Sequence, residues 1–353
     1  MPYNTNNDTP PRRYVIRKKR KKKKKRIALL FVTMFLFSII GYAGFVIYNT
    51  YAAFNDTYAD GREKSALRDE QVKVSDDPFS VLLLGIEDYS GEHDRGRSDT
   101  IMVATFNPKT DNMKLLSIPR DTLVDLPGRV NQDKINHAYA DGGRDETIET
   151  VEKFLNIPID YYALVNFKGF TKVIDEVGGV TVDVPFDFKD IDKDWNHYSF
   201  KEGKQTLNGD EALVYSRMRK KDPRGDFGRN MRQRQVVTGL IDELSSPKTL
   251  LKIDDIAEVA GKNIQTNMSI GEAMGLSKNL TNFNKSKIEQ LEIKGEDDYE
   301  NGVYYFKPDE EEVAQVTHTL RSHLDLPTEE EETTDSSSDS ESYDESTYDS
   351  DSQ

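Results

Sequence analysis

The chain has 353 residues, 36% hydrophobic and 31% charged, enough for one large domain or two small ones. It contains no cysteine, which excludes disulfides, thiol nucleophiles and cysteine-ligated metals, and its five histidines show no H-E-x-x-H or similar zinc spacing. The formal net charge of −15 conceals two strongly polarised ends.

Twelve Lys or Arg residues lie between Arg12 and Arg26, and Ile27–Tyr48 follows with 22 residues and no charge. At 1.5 Å per residue such a run covers the ~30 Å hydrocarbon core of a bilayer. It is longer than the roughly 7–15-residue apolar region of a cleaved signal peptide. The expectation is one uncleaved transmembrane anchor at 27–48, with Tyr48 and Tyr51 at the outer interface. The positive-inside rule then leaves residues 1–26 as a cytoplasmic tail and puts everything after Tyr48 outside the cell membrane. A nucleic-acid role for the lysine run is the weaker reading, because it abuts the span and has no aromatic interleaving. Residues 49–77 read as a polar stalk, part helical over Glu63–Val72.

Composition changes at Pro78. Phe79–Gly85 reads as a buried strand, Thr100–Phe106 as a second and Met113–Pro119 as a third, the last two joined by the turn Asn107–Asn112. Helical periodicity is found at Asp145–Leu155 and at Phe167–Val177, which Gly178-Gly179 stops. Val180–Phe188 alternates as a strand does, Leu207–Arg219 is helical behind an Asn208-x-x-Glu211 capping box, and Met231–Leu244 is another helix. Helices are expected at Thr249–Ala260, Ser269–Asn279 and Pro308–Leu324, and strands at Ile288–Ile293 and Gly302–Phe306. There is no internal repeat. Strands and helices mixed without strict βαβ alternation predict an α/β/α sandwich with a mixed central sheet over 78–326, preceded by one transmembrane helix. Residues 327–353 form an acidic tail: Glu329–Gln353 holds eleven Asp or Glu and no Lys or Arg, too little apolar surface to fold alone.

Against this acidic background Tyr215–Gln235 carries eight basic residues and only Asp222 and Asp226. Asp226 is a candidate N-cap for a helix that places Arg229, Arg232 and Gln233 on one face. Guanidiniums suit bidentate phosphate contacts, and several of them among apolar residues are stable when an anion satisfies them. A second group gathers where strands one to three end: Glu87, Asp88, Arg97, Asp99 and Arg120. Carboxylates beside arginines suit Mg²⁺ with phosphate oxygens, or a structural ion-pair network. No P-loop or G-x-S-x-G elbow occurs, and Ser245-x-x-Lys248 contains Pro247 and lacks the companions of a penicillin-binding site. Phosphoryl chemistry is what remains.

The segments LLLGIEDYS (Leu82–Ser90), GRSDTIMVATFNP (Gly96–Pro108), SIPRDT (Ser117–Thr122), KINHAYADGG (Lys134–Gly143), LNGDEALVYSRMR (Leu207–Arg219) and DFGRNMRQRQ (Asp226–Gln235) resemble the LytR-CpsA-Psr family of membrane-anchored cell-wall enzymes. The resemblance implies an extracytoplasmic phosphotransferase. It would move a glycopolymer (teichoic acid, capsule or another wall polymer) from polyprenyl pyrophosphate to the C6 hydroxyl of N-acetylmuramic acid in peptidoglycan. It implies Asp99 as a Mg²⁺ ligand with Glu87 or Asp88 beside it, since the family commonly has Asp where Glu87 stands. Arg120, Asp99 and Asp226 become the catalytic candidates, and Arg97, Arg120, Arg217, Arg219, Arg229, Arg232 and Gln233 the pyrophosphate contacts. It also implies a long apolar pocket for the lipid tail, for which Phe154, Phe167, Phe170, Val173 and Ile174 are candidate linings. Two other readings stay open, a polyprenyl-pyrophosphatase and a non-enzymatic binder of anionic polymer.

Overall fold

The structure is a computed structural model that describes residues 64–87, 96–250, 252–261, 263–269, 272 and 287–327. The basic run, the apolar span 27–48, Asp88, nearly all of the helix expected at 269–279 and the acidic tail from 328 lie outside the described residues. Among those described, no helix is long and apolar enough to cross a membrane.

Strands β1 (Phe79–Ile86), β2 (Ser98–Asn107) and β3 (Asn112–Ile118) form an antiparallel meander, its second turn falling at the expected Asn107–Asn112. A short pair follows, β4 (Leu123–Val124) with β5 (Asp133–Lys134), and then α1 (His137–Leu155). β6 (Tyr161–Asn166) returns parallel to β1 and leads into α2 (Phe167–Val177), which ends on Gly178 at φ 97°. Next come β7 (Val180–Val184), β8 (Phe188–Ile191), β9 (His197–Phe200) and β10 (Gly203–Leu207), paired β7 with β10 and β8 with β9. Helices α3 (Gly209–Arg217) and α4 (Gly225–Leu244), the turn α5 (Pro247–Leu250) and α6 (Ile253–Gly261) precede β11 (Ile264–Thr266). β12 (Ile288–Glu292), the hairpin β13 (Gly295–Glu300) and β14 (Val303–Pro308), and α7 (Glu310–His323) complete the described chain. The central sheet is mixed and six-stranded, in the order β11-β6-β1-β2-β3-β12.

Alternation along the strands assigns the two faces. Leu82, Leu84, Ile101, Val103, Leu116 and Ile118 pack against Ile148 and Val151 of α1 and Val316 and Leu320 of α7. Phe79, Met102, Ala104, Phe106, Met113 and Leu115 point the other way, toward Val237 and Ile241 of α4. A further core joins α2, α3, α4 and the β7–β10 pair through Ile174, Val182, Tyr215 and Val236. The sheet thus has helices on both faces.

Several boundaries differ from the sequence expectation for identifiable reasons. α1 starts at His137 rather than Asp145, because Gly143 (φ 72°, ψ −148°) kinks two helical stretches into one element whose first part lacks apolar periodicity. The alternating run 180–188 is split between β7 and β8 around Pro185, which has no N–H for a ladder. α4 begins at Gly225, six residues before Met231, and α6 begins at Ile253 rather than Thr249. Residues 64–72 form no helix. Instead this part of the expected stalk is strapped to the domain: Ser65 Oγ donates to Glu152 Oε1 at 2.6 Å, Arg68 donates to Asp160 at 3.1 and 3.0 Å, and Val74 is buried. The folded unit therefore extends upstream of Pro78.

Asp160 is buried and also accepts from Ser80. Breaking a buried ion pair by removing one partner costs about 3 kcal/mol or more. Arg68→Ala should therefore lower the Tm by roughly 6–12 °C for a domain of this size, measured by calorimetry. An unchanged Tm would show that the strap contributes nothing to stability.

Candidate active site

The site begins with a register slip. Gly85 pairs with Thr100 but Ile86 pairs with Ser98, so Asp99 is the extra residue of a β-bulge. Bulges re-aim side chains at strand ends. Gly85 is needed opposite it, since a Cβ there would lie 2.9 Å from Thr100 Cβ. Ile101 pairs with Ile118, so continuing the register past the end of β3 brings Arg120 alongside Asp99. Arg120 Nη1 donates to Asp99 Oδ1 at 2.6 Å. Burial alone would lower the Arg120 pKa, but the hydrogen bond and charge of Asp99, with Asp121 and Asp226, raise it on balance. Asp121 stands on its other side, 3.5 Å from Arg120 Nε, and accepts from Lys134 Nζ at 2.8 Å.

Helix α4 supplies the second half. Asp226 lies 2.6 Å from Arg219 Nε and accepts from Arg229 Nη2 at 3.0 Å. It is not the helix cap: the cap is Arg224, and Asp226 sits in the first turn as a clamp between two guanidiniums. Arg229 is 7% exposed, and its Nε is buried without a hydrogen-bond partner among the described residues. Burial lowers its pKa, Asp226 opposes that, and the Arg120 charge adds to the lowering. Arg217 stacks over the Phe167 ring at 4.4 Å and lies 3.8 Å from Glu87, whose side chain is exposed. Arg97 is exposed at the start of β2.

Arg232 corrects the expected set of phosphate contacts. It is 0% exposed, and its guanidinium donates to Asp222 and to the carbonyls of Tyr215 and Met218. Asp222 also accepts from Arg224 at 2.9, 3.1 and 3.1 Å. Burial would raise the Asp222 pKa, but these hydrogen bonds bring it down to about 2. Gly228 rests on this carboxylate so closely that a Cβ would lie 1.9 Å from Asp222 Oδ2. Arg232 and Asp222 are the internal knot that shapes the 218–225 loop. Arg234, on another side of α4, pairs with Glu292 of β12.

Between the sheet and helices α2, α3 and α4 lies a cavity of about 540 Å³. Its walls are apolar: Leu83, Met102, Ala104, Phe106, Ala163, Val237 and Ile241 among them. The charged groups Asp99, Arg120, Arg217, Arg219 and Arg229 line it too, with Gln233 beside them. Asp99 and Arg120 stand at the Gly85–Thr100 end of the β1–β2 pair, Arg217 lies beside Glu87 just past it and Arg229 feels the charges of Arg120 and Asp99, whereas Phe79 and Phe106 mark the other end. Phe167, Phe170 and Val173 line the cavity as expected. Phe154 packs instead against the core on the opposite face of the sheet, and Ile174 is turned into the α2–α3–β7 core. Lys134 and Asp121 carry no signal of their own in the sequence beyond lying within KINHAY and PRD; in the fold they brace Arg120.

A family model described as LytR_cpsA_psr family matches residues 42–322. The chain belongs to that family. A LytR_cpsA_psr relative from Bacillus subtilis (strain 168), named polyisoprenyl-teichoic acid--peptidoglycan teichoic acid transferase TagV, is 49% identical over 309 residues, covering 85% of this chain and 78% of that one. A transferase of the corresponding name, TagU, from Halalkalibacterium halodurans is 44% identical, covering 82% and 94%. The crystal structure of B. subtilis TagV superposes with a TM-score of 0.66 at 50% identity, over 71% of this chain and 98% of that one. A structure described as TagT bound to LIIa-WTA gives 0.64 at 35% identity, over 76% and 99%.

Arg229 and Arg232, two of the three buried arginines of α4 in this LytR_cpsA_psr protein, should respond differently to loss of charge. Arg232→Met leaves the buried Asp222 with Arg224 alone and takes the donor from the Tyr215 and Met218 carbonyls, and should cost about 3–5 kcal/mol, a Tm drop of roughly 6–15 °C. Arg229→Met also breaks its pair with Asp226, but Asp226 keeps Arg219 and the guanidinium removed has a buried Nε with no partner among the described residues, so Tm should stay within a few degrees or rise. Equal losses in thermal melts would contradict the division between knot and site.

Proposed function

We propose that this protein is a transferase that moves an anionic, teichoic-acid-type glycopolymer from polyprenyl pyrophosphate to the C6 hydroxyl of peptidoglycan N-acetylmuramic acid. It works outside the cell membrane, held by the uncharged span 27–48 with its basic N-terminus in the cytoplasm. The single observation that carries this reading is the joining of an apolar cavity to a cluster of guanidiniums at one end of its walls. An isoprenoid diphosphate has that shape of chemistry, a hydrocarbon tail ending in concentrated negative charge. The names of the relatives support the substrate class.

In this reading the tail occupies the cavity, and Arg120, Arg217, Arg219 and Arg229 hold the pyrophosphate oxygens. Asp226 positions Arg219 and Arg229, and Asp121 with Lys134 positions Arg120. The acceptor oxygen forms a bond to the polymer-side phosphorus while the bridging P–O bond breaks. Polyprenyl monophosphate leaves with the electron pair, and the hydroxyl proton passes to a rim carboxylate. Charge stabilisation by fixed guanidiniums is the main requirement of such a transfer. Asp99, with Glu87 at the neighbouring strand end, would hold Mg²⁺, whose contribution is to neutralise phosphoryl oxygens. The donor set fits, because Mg²⁺ takes one or two carboxylates with phosphate oxygens and water completing its shell. Asp99 is such a carboxylate, half-buried on the cavity wall.

Arg120→Lys keeps the charge but loses the planar fork, and with it a charge-assisted hydrogen bond of roughly 1.5–3 kcal/mol. Transfer to peptidoglycan should fall about tenfold to hundredfold, with no gain from added metal. Asp99→Asn should also slow transfer, but excess Mg²⁺ should partly restore it. Rates against Mg²⁺ concentration with a lipid-pyrophosphate donor decide the matter. Wild-type activity in Arg120→Lys, or equal rescue of both variants, would overturn the separate phosphate and metal roles.

A further inference from the structure

A transferase needs a second subsite, one that brings a hydroxyl to the phosphorus, and the assignment of that subsite rests on the transferase reading. The β13–β14 hairpin is built onto the cavity mouth: Phe306 N donates to the Asp121 carbonyl at 2.9 Å, and Thr122 bridges Phe306 in parallel. Phe306 and Tyr304, two residues apart on β14, share one face, with Asp297 and Tyr299 directly across from them on β13. Phe227, the residue after Asp226, meets Phe306 edge-on with ring centroids 5.7 Å apart, and Tyr304 meets Tyr299 at 5.5 Å. Aromatic rings therefore run in file from the Asp226 clamp outward to the hairpin tip. Lys134, which braces Asp121, lies 5.9 Å from the Tyr304 ring and ties the file to Arg120's neighbour.

Phe306 anchors the file in the core at 1% exposed, but core packing does not account for its outer members. Phe227 is 42% exposed and Tyr299 67%. With Val303 they make three of the seven exposed large hydrophobics among the described residues, all on this hairpin or the helix end beside it. Charge then selects the ligand. β13 carries Glu296, Asp297, Asp298 and Glu300, while the end of α3 and the loop after it carry Arg217, Arg219, Lys220, Lys221 and Arg224. A polyanionic donor is repelled by the first surface and drawn to the second. A neutral sugar chain is indifferent to the repulsion, and its hydroxyls and amides donate to carboxylates.

We propose that the aromatic face of the β13–β14 hairpin is the acceptor subsite, binding the neutral N-acetylated glycan strand by stacking its sugar rings on Tyr304 and Tyr299. The C–H face of a pyranose meets the negative face of an aromatic ring there. Asp297, on the same face, accepts hydrogen bonds from the strand, and the negative charge of β13 as a whole keeps the anionic donor polymer off it. Two rims of unlike charge thereby sort donor from acceptor.

The test uses the full-length chain in detergent, with a lipid-pyrophosphate donor and uncharged N-acetylglucosamine–N-acetylmuramic acid oligosaccharides lacking stem peptides, the lactyl carboxyl amidated. Tyr299→Ala should raise the acceptor KM at least tenfold and leave the donor KM unchanged, and Tyr299→Phe should restore the wild-type value. Direct oligosaccharide binding, measured by calorimetry without donor, should weaken by the same factor in Tyr299→Ala. Unaltered acceptor KM and binding in an active, folded Tyr299→Ala would overturn the subsite. If the wild-type chain binds the oligosaccharide but forms no transfer product, the transferase reading falls, and the binding data alone judge the hairpin.

Discussion

Everything at this site depends on keeping positive charge beside an apolar cavity. A guanidinium withdrawn from water costs several kcal/mol unless its charge and its N–H groups are answered. The protein answers this partly from within: Asp226 lies between Arg219 and Arg229, and Asp99 and Asp121 flank Arg120. The answer is incomplete, because the buried Nε atoms of Arg229 and Arg120 have no hydrogen-bond partner among the described residues. Such a cluster is preorganised for an anion, and electrostatic preorganisation of this kind is what a phosphoryl transfer asks of its enzyme.

The sheet makes that arrangement possible. One face is filled by α1 and α7, so it is the other face, toward α2 and α4, that encloses space. The bulge at Asp99 and the end of β3 at Pro119-Arg120 place an acid and a base side by side at the same end of the sheet. Helix α4 is locked in register by Arg232 on Asp222, with Gly228 admitting the close approach, and this aims Arg229 and Gln233 into the cavity. The fold's stability and the site's geometry thus share one helix but use different arginines of it.

Much of this was legible in the sequence. The apolar runs at 79–85, 100–106 and 113–119 mark the first three strands to within two residues at each end, and Gly178 announces the end of α2. Asp99 and Arg120 were grouped by strand ends, and Arg217, Arg219 and Arg229 by one arginine-rich stretch; that the two groups form one site was implied only by the family resemblance. What was not legible is which arginine faces inward: Arg229 and Arg232 are three residues apart and chemically identical, and only the position of Asp222 across the loop decides. The strap at 64–77 was hidden because its contacts, Arg68 with Asp160 and Ser65 with Glu152, lie 92 and 87 residues apart in the chain. The hairpin's aromatic file was invisible for the same reason, since Phe227 and Phe306 meet only in the folded molecule.

The central claim is that the cavity takes an isoprenoid tail while the arginines hold its pyrophosphate. The most direct measurement is the affinity of the protein for polyprenyl pyrophosphates of increasing length, in wild type and in Ala163→Trp, which places an indole in the cavity wall. The account predicts that Kd falls by about tenfold or more with each isoprene unit, since each buried methylene contributes ~0.8 kcal/mol, until the cavity is filled. It predicts that Ala163→Trp removes this dependence on length while leaving the affinity for the shortest pyrophosphate unchanged. An affinity independent of chain length in the wild type would contradict it.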